Sequence, residues 1–157
     1  MKYDSTQDAK IHRANIRFVY EQIVRPALDE RIEKHDLSKL EDPERSCYDK
    51  YIPLLREYKF GTPEYFATKQ AMKEEGLTHH FEVNRHHPEH FKDGVKGMNL
   101  IDLVEHIMDC YAASMVSDTP FEEGIRKVME TNGYSEDLQA IILNTAREIF
   151  KGQRPTK

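Results

Sequence analysis

The apolar residues of this chain recur at helical spacing, and no run alternates apolar and polar residues long enough to predict a strand. The first apolar stripe predicts a helix from about Ser5 to Val24, which Pro26 breaks or kinks before a further turn or two reaches Lys34. Shorter helices follow, and we predict them over about 43–58, 63–75, 99–116, 120–131 and 135–151. The pattern therefore predicts an all-α fold, a compact single-domain helical bundle over residues 1–157.

Composition and charge narrow the class of protein. The 23 basic and 28 acidic residues give a net charge of −5, which does not favour a general nucleic-acid binder. No stretch approaches the roughly 18 apolar residues that a membrane span needs, and the first residues lack the apolar region of a secretory signal. The two cysteines, Cys47 and Cys110, fit reduced thiols, so we expect a cytoplasmic protein.

Histidine is the unusual residue type of this composition. The chain has 8 histidines, and five of them fall between residues 79 and 90. Four of these five lie in a segment that we predict as a loop over 76–87. An excess of histidine beside Asp and Glu points to metal chemistry. Two His-His pairs, His79-His80 and His86-His87, stand in this segment, and one histidine of each could bind a metal. A polar loop with incidental histidines is the alternative.

Three other segments carry candidate ligands. His12 lies on the apolar stripe of Ile16, Val19 and Ile23, which predicts that it points inward, either as a ligand or as a hydrogen-bonded core histidine. His35-Asp36 could share one divalent ion, with Lys39 one turn away to hold an anionic group, unless this is a solvated helix end.

The helix over 99–116 has two contrasting faces. One face is apolar, and the opposite face is polar and ends at Asp109. The polar face is either solvated, as helix periodicity favours, or it lines a cleft in which one carboxylate completes a metal site. In the second case Asp109 should be more buried than a surface aspartate.

The order His12, His35-Asp36, His80, His86-His87, Asp109 resembles the HD-domain superfamily of metal-dependent phosphohydrolases. The segment His35-Asp36-Leu37-Ser38-Lys39 is similar to the HD-x-G-K signature of the branch with additional histidines, with Ser38 in place of Gly. That branch includes the HD-GYP phosphodiesterases, whose GYP is absent here, and more distantly the diiron myo-inositol oxygenases. The chain also resembles small bacterial and phage proteins with HDLSK and HHPE motifs.

The resemblance implies a metal centre of one or two divalent ions. It implies a first set of ligands, namely His12, His35, Asp36 and Asp109, and a second set, namely His80 with His86, His87 or both. Asp36 would bridge the two ions. Such mixed nitrogen and oxygen ligation suits Fe, Mn, Co, Ni or Zn. A metal-activated water would attack phosphorus, and Lys39 would neutralise charge on the phosphate.

The residues leave three classes of function open. The first is a phosphohydrolase that acts on a small phosphorylated molecule, a nucleotide or a related metabolite. The second is a diiron oxygenase on the same scaffold, which would need iron and consume O₂. The third is a non-catalytic protein that binds a nucleotide. No glycine-rich phosphate loop is present to identify the substrate.

Overall fold

The computed structural model describes residues 4–58, 62–116 and 120–150. These residues form α-helices joined by short 3₁₀ and π-helical turns, and no strand occurs among them, so the all-α prediction is confirmed. The chain divides into two compact units, residues 1–35 and 36–157. Each unit is described by itself, and the single-domain organisation remains a prediction.

The first unit is one long helical segment with a π-helical turn in its middle. Helix α1 spans Thr6–Val19, the π turn spans Tyr20–Val24, and α2 spans Arg25–Lys34. Pro26 lies in the first turn of α2. Because proline has no N–H and its ring crowds the preceding turn, the wider π turn lets the helix pass Pro26 without ending. The predicted break is therefore a change of helical pitch.

The stripe of the first unit is not buried. None of the residues described in α1, the π turn or α2 is buried, and Ile16, Val19 and Ile23 all expose their side chains. His12 is exposed as well. This unit, taken by itself, has no second element that could cover the stripe, so the inward orientation of His12 stays a prediction.

The second unit begins with a 3₁₀ turn, Leu37–Leu40, and helix α3, Glu44–Glu57. Helix α4, Pro63–Met72, begins after Thr62, whose side-chain oxygen accepts a hydrogen bond from the backbone N–H of Tyr65. It continues through a π turn, Lys73–Leu77, into α5, Thr78–Val83. The prediction of a loop over 76–87 is therefore wrong for residues 76–83, which are helical and carry His79 and His80.

Gly76 allows this helical segment to lie close against α3. A Cβ atom on Gly76 would lie 2.6 Å from Cβ and 2.8 Å from Sγ of Cys47, distances that a side chain cannot occupy. Cys47, Tyr51, Met72 and Leu77 form a small buried cluster at this contact. The close approach sets the start of α5 beside the start of α3, where Glu44 lies.

The rest of the unit contains two 3₁₀ turns and three helices. The turns span Pro88–His90 and Gly94–Gly97, and the helices are α6, Leu100–Met115, α7, Phe121–Thr131, and α8, Glu136–Ile149. The predicted end of the last helix at residue 151 lies outside the described residues. A second buried cluster joins the three helices, namely Ile107, Ile125, Met129, Tyr134, Ile142 and Leu143. No helix in the described residues is long and apolar enough to cross a membrane.

Candidate metal centre

Four side chains of the second unit converge on one point. Asp36, His80, His86 and His87 each offer a ligand atom, and these four atoms all lie within 4.8 Å of one another. Asp36 precedes the first 3₁₀ turn, His80 lies on α5, and the two other histidines follow α5. The group therefore gathers residues that are up to 51 positions apart in sequence.

Asp36 has an unusual backbone conformation. Its φ angle is 55°, in the left-handed region that side chains other than glycine rarely adopt, although aspartate tolerates it better than most. Its Oδ2 accepts a 2.5 Å hydrogen bond from Nζ of Lys39, and that ammonium also lies 5.1 Å from the ring centre of Tyr48. Strained residues of this kind cluster at functional sites.

His80 is held in position by a buried carboxylate. Its Nδ1 lies 2.8 Å from Oε2 of Glu44, the first residue of α3. Both side chains are buried, with at most 1% of their surface exposed. A carboxylate at Nδ1 accepts a hydrogen bond from the N–H there, which leaves the lone pair of Nε2 of His80 available. Histidines that bind metals usually donate their other N–H to a carboxylate, a backbone carbonyl or water.

Glu44 has further partners, which explains how its charge is tolerated in the interior. Its Oε1 lies 2.8 Å from Nδ1 of His79, and its Oε2 accepts a 2.9 Å hydrogen bond from the hydroxyl of Ser38. Asn84 donates to that hydroxyl at 2.8 Å. Burial would raise the pKa of Glu44, but the hydrogen bonds from His79, Ser38 and His80 together hold it below its usual value.

His86 is paired with a second buried carboxylate. Its Nδ1 lies 3.3 Å from Oε1 of Glu105 on α6, and both side chains are almost fully buried. The remaining nitrogen, Nε2, lies 3.5 Å from Oδ1 of Asp36. Nε2 of His80 lies 3.6 Å from the same oxygen. Two histidines, each oriented by its own glutamate, thus face one carboxylate oxygen.

His87 completes the group of four. Its Nε2 lies 2.8 Å from Nε2 of His80, so at most one of these two nitrogens carries a proton. Burial, together with the neighbouring His86 and His80, lowers the pKa of His87 to about 2. Burial also lowers the pKa of His80, against the opposing effect of Glu44. Both rings are therefore neutral at physiological pH, which is the form that binds metals.

A second group overlaps the first. Asp36 and His86 also lie with Asp109 in a set of ligand atoms that are all within 4.8 Å of one another. Asp109 is half-buried, on the turn of α6 that follows Glu105. Asp36 and His86 are thus common to both groups.

The polar face of α6 is the buried face. Asp102, Glu105 and His106 expose 3% of their surface or less, whereas Leu100 is 78% exposed and Val104 and Met108 are also exposed. The prediction of a solvated polar face is therefore wrong, and the alternative, that this face lines a metal site, stays a prediction. Periodicity identifies the two faces of a helix, but it does not say which one is covered.

Arg85 fixes the loop that carries the two site histidines. Its guanidinium makes two hydrogen bonds to the buried carboxylate of Asp102, at 3.1 and 3.0 Å. Asp102 also accepts a bond from the backbone N–H of Asn99, and Asn99 caps α6 in return. Arg85 therefore joins the residue before His86 to the start of α6.

Eight site residues were predicted. Five residues of the second unit lie in these groups, namely Asp36, His80, His86, His87 and Asp109. Lys39 contacts Asp36 directly. His12 and His35 belong to the first unit, and their role as ligands stays a prediction. The two carboxylates that orient the histidines, Glu44 and Glu105, were missed, and nothing in their spacing to the histidines marks them as partners.

The donor set fits a divalent transition metal. Imidazole nitrogens and carboxylate oxygens suit Fe, Mn, Co, Ni and Zn. Ligand atoms that each lie about 2.1 Å from one ion are themselves roughly 3–3.5 Å apart, and the contacts of Asp36 Oδ1 with the two histidines, 3.6 and 3.5 Å, are close to this. The site can therefore hold a metal ion with small movements of its side chains.

Comparison with known proteins gives a family and no relative of known function. The model of the family of unknown function DUF5662 matches residues 1–148 of the chain. No curated protein and no solved structure matches.

Proposed function

The chain belongs to the family of unknown function DUF5662, and we propose that it is a metal-dependent phosphohydrolase. Its substrate would be a small phosphoester, a nucleotide or a related metabolite. The proposal rests on the residues of the second unit and on the resemblance of the HDLSK and His-His motifs to the HD-domain superfamily.

One observation carries the proposal. Glu44 and Glu105 hold the Nδ1 atoms of His80 and His86, and both Nε2 atoms face Oδ1 of Asp36. Two imidazoles buried beside a carboxylate would be costly as a purely structural arrangement, because apolar side chains of the same size would fill the space without polar atoms. A metal cation bound between the three side chains would offset this cost.

The proposed ligands are the five residues that the second unit contributes to the two groups, namely Asp36, His80, His86, His87 and Asp109. A divalent ion in this position supplies a nucleophilic water at neutral pH and neutralises charge on a phosphoryl group. Asp36 is common to both groups, so it is the residue that would bridge two ions. For His12 and His35 the same role stays predicted.

Lys39 would bind the phosphate of the substrate. Its ammonium contacts Oδ2 of Asp36, whereas Oδ1 of Asp36 faces the histidines. The ammonium of Lys39 and the imidazoles therefore contact different oxygens of this carboxylate. About a third of the Lys39 side chain is exposed, which lets a ligand reach it. Lysine acts on phosphate as a compact point charge with three donors.

Cys47 and Cys110 are free thiols, which supports a reducing compartment. The net charge of −5 does not favour nucleic acid as the partner, which supports a small-molecule substrate. We therefore propose a cytoplasmic enzyme.

The experiment measures metal content and phosphate release together. Protein purified without chelator is analysed by mass spectrometry for Fe, Mn, Co, Ni and Zn, and then assayed without O₂ on a panel of nucleotides and sugar phosphates. The parent should hold metal and release phosphate, and His86→Ala should lose both. His90→Gln is the matched control, because His90 lies in the same loop region but outside both groups. It should keep both properties.

Two results would replace the proposal. Consumption of O₂ by the iron-loaded protein, with no phosphate released from any compound, would indicate an oxygenase. Metal content and nucleotide affinity without turnover under either condition would indicate a binding protein.

A further inference from the structure

A cavity between α6 and α7 lies beside the candidate metal centre. It has a volume of about 230 Å³ and is partly open to solvent. Its walls come from the second half of α6 and from residues 121–128 of α7, and the residues that line it are Asp109, Cys110, Ala113, Ser114, Phe121, Gly124, Ile125 and Val128. Small residues on both helices, Ala113, Ser114 and Gly124, leave this space.

Asp109 links the cavity to the metal centre. It lines the cavity, and it also belongs to the group of ligand atoms with Asp36 and His86. The cavity and the candidate metal centre therefore have Asp109 in common, and no step of the proposed reaction uses the cavity.

The lining of the cavity does not suit a phosphate. Among the described residues that line it, none is Lys, Arg or His, and the one charged group is the carboxylate of Asp109, which repels anions. The hydroxyl of Ser114 donates to the backbone oxygen of Tyr111 at 2.7 Å. Burial raises the pKa of the Cys110 thiol to about 12, so it stays neutral. The remaining lining is aliphatic or aromatic.

The size and one aromatic wall indicate what fits. Pockets for whole drug-sized ligands have volumes of about 300–1,000 Å³, so the 230 Å³ here suit one part of a molecule. Phe121 forms part of the wall, and edge-on contacts with Tyr111 and Phe150, at ring distances of 5.2 and 5.7 Å, hold its ring in place. A fixed aromatic ring favours a flat, uncharged partner.

We propose that the cavity between α6 and α7 binds an uncharged ring of the substrate while its phosphate lies at Asp36 and Lys39. The substrate class is then a phosphoester whose alcohol part carries a flat ring, and not an open-chain phosphate. This inference deepens the proposed function and rests on it for the position of the phosphate. The binding of a ring in the cavity does not depend on turnover.

The first test measures binding alone, with the uncharged probe 1-naphthol and metal-free protein. Ala113→Leu fills the cavity from α6, and Ala112→Leu is the matched control, since Ala112 is the adjacent exposed residue and does not line the cavity. Changes of one or more methylene groups in an apolar pocket alter affinity by about 10–200-fold. The parent and Ala112→Leu should bind 1-naphthol alike, and Ala113→Leu should bind it at least about tenfold more weakly. Equal binding by all three, or no binding by the parent, would overturn the inference.

The second test compares kcat/KM for 1-naphthyl phosphate and phenyl phosphate, whose leaving groups have similar acidity, and for glycerol 3-phosphate. The metal-loaded parent should prefer the naphthyl ester, and Ala113→Leu should lose that preference while it keeps its rate on glycerol 3-phosphate. A variant that loses all three activities equally would contradict a ring pocket. Binding of 1-naphthol without hydrolysis of any ester would instead support the pocket and reject the proposed phosphohydrolase.

Discussion

The second unit has two buried regions that share helix α6, and one buries apolar side chains whereas the other buries polar ones. The cluster of α6, α7 and α8 is built from apolar side chains such as Ile107, Ile125 and Ile142. One helical face away, the same helix buries Asp102, Glu105 and His106. Each buried carboxylate that orients the loop or a histidine has a partner on another segment, Arg85 for Asp102 and His86 for Glu105. Burial alone therefore does not separate the core from the site, whereas the polar partners of the buried side chains do.

The largest effect on stability should come from the apolar region. Ile142→Ala removes a side chain that is 1% exposed in this cluster and leaves a cavity, so we expect a loss of about 2–5 kcal/mol in the free energy of unfolding. Ile141→Ala is the matched control, because Ile141 is 61% exposed on the same helix, and it should change stability by less than about 0.5 kcal/mol. Urea unfolding measures both. Equal losses would mean that the cluster is not the core.

The largest effect on activity should come from Lys39. Lys39→Ala removes the ammonium but none of the proposed metal ligands, so metal content should stay the same while turnover falls by about 10²–10³-fold. Lys39→Arg should restore only part of the rate, because a planar guanidinium does not replace a compact ammonium. Mass spectrometry and phosphate release check the two quantities, and a variant with full turnover would remove Lys39 from the mechanism.

A smaller effect should separate the carboxylates that orient the histidines from carboxylates on the surface. Glu44→Gln weakens the hold on Nδ1 of His80, so affinity for a divalent ion should fall by about 10–100-fold. Glu41→Gln, an exposed position three residues earlier, should leave the affinity unchanged. Isothermal titration with Mn²⁺ or Zn²⁺ measures this. Similar affinities for both variants would show that Glu44 has only a structural role.

The smallest effect concerns an exposed ion pair. Hydrogen bonds from Arg147 and Arg126 hold the pKa of Glu122 at about 2, below its ordinary value of 4.5. The stabilisation from this carboxylate is therefore fully present above about pH 4.5 and is lost as the pH falls towards 2. Glu122→Gln should unfold with a weaker dependence on pH than the parent over this interval. An identical pH dependence of the melting temperature would show that the pair contributes nothing.

The sequence predicted the helices of the second unit better than it predicted their surroundings. Apolar spacing located α6, α7 and α8 to within about two residues, because their stripes pack on one another. The same rule does not say which face of a helix is covered, and in α6 the covered face is the polar one. Periodicity describes a helix, whereas burial depends on what packs against it.

The candidate site was predictable where the residues stand out by type. Two histidine pairs in one short segment are unusual enough to notice, and five of the predicted residues of the second unit lie in the two groups of ligand atoms. Glu44 and Glu105 are ordinary glutamates in a chain with 28 acidic residues, so only their contacts reveal them. The cavity beside Asp109 depends on the spacing of two helices, which no local pattern encodes.

The central claim is that the buried carboxylate and histidines hold a metal ion, and metal-dependent stability tests it most directly. An ion that binds only the folded protein should raise the free energy of unfolding by about 2.7 kcal/mol at a hundredfold excess over Kd. The parent and Ile142→Ala should both gain this amount with the correct ion. Asp36→Asn should gain nothing, because asparagine tolerates the left-handed backbone of residue 36 but lacks the charge. If Asp36→Asn gains as much as the parent from every ion tried, the metal does not bind at this site.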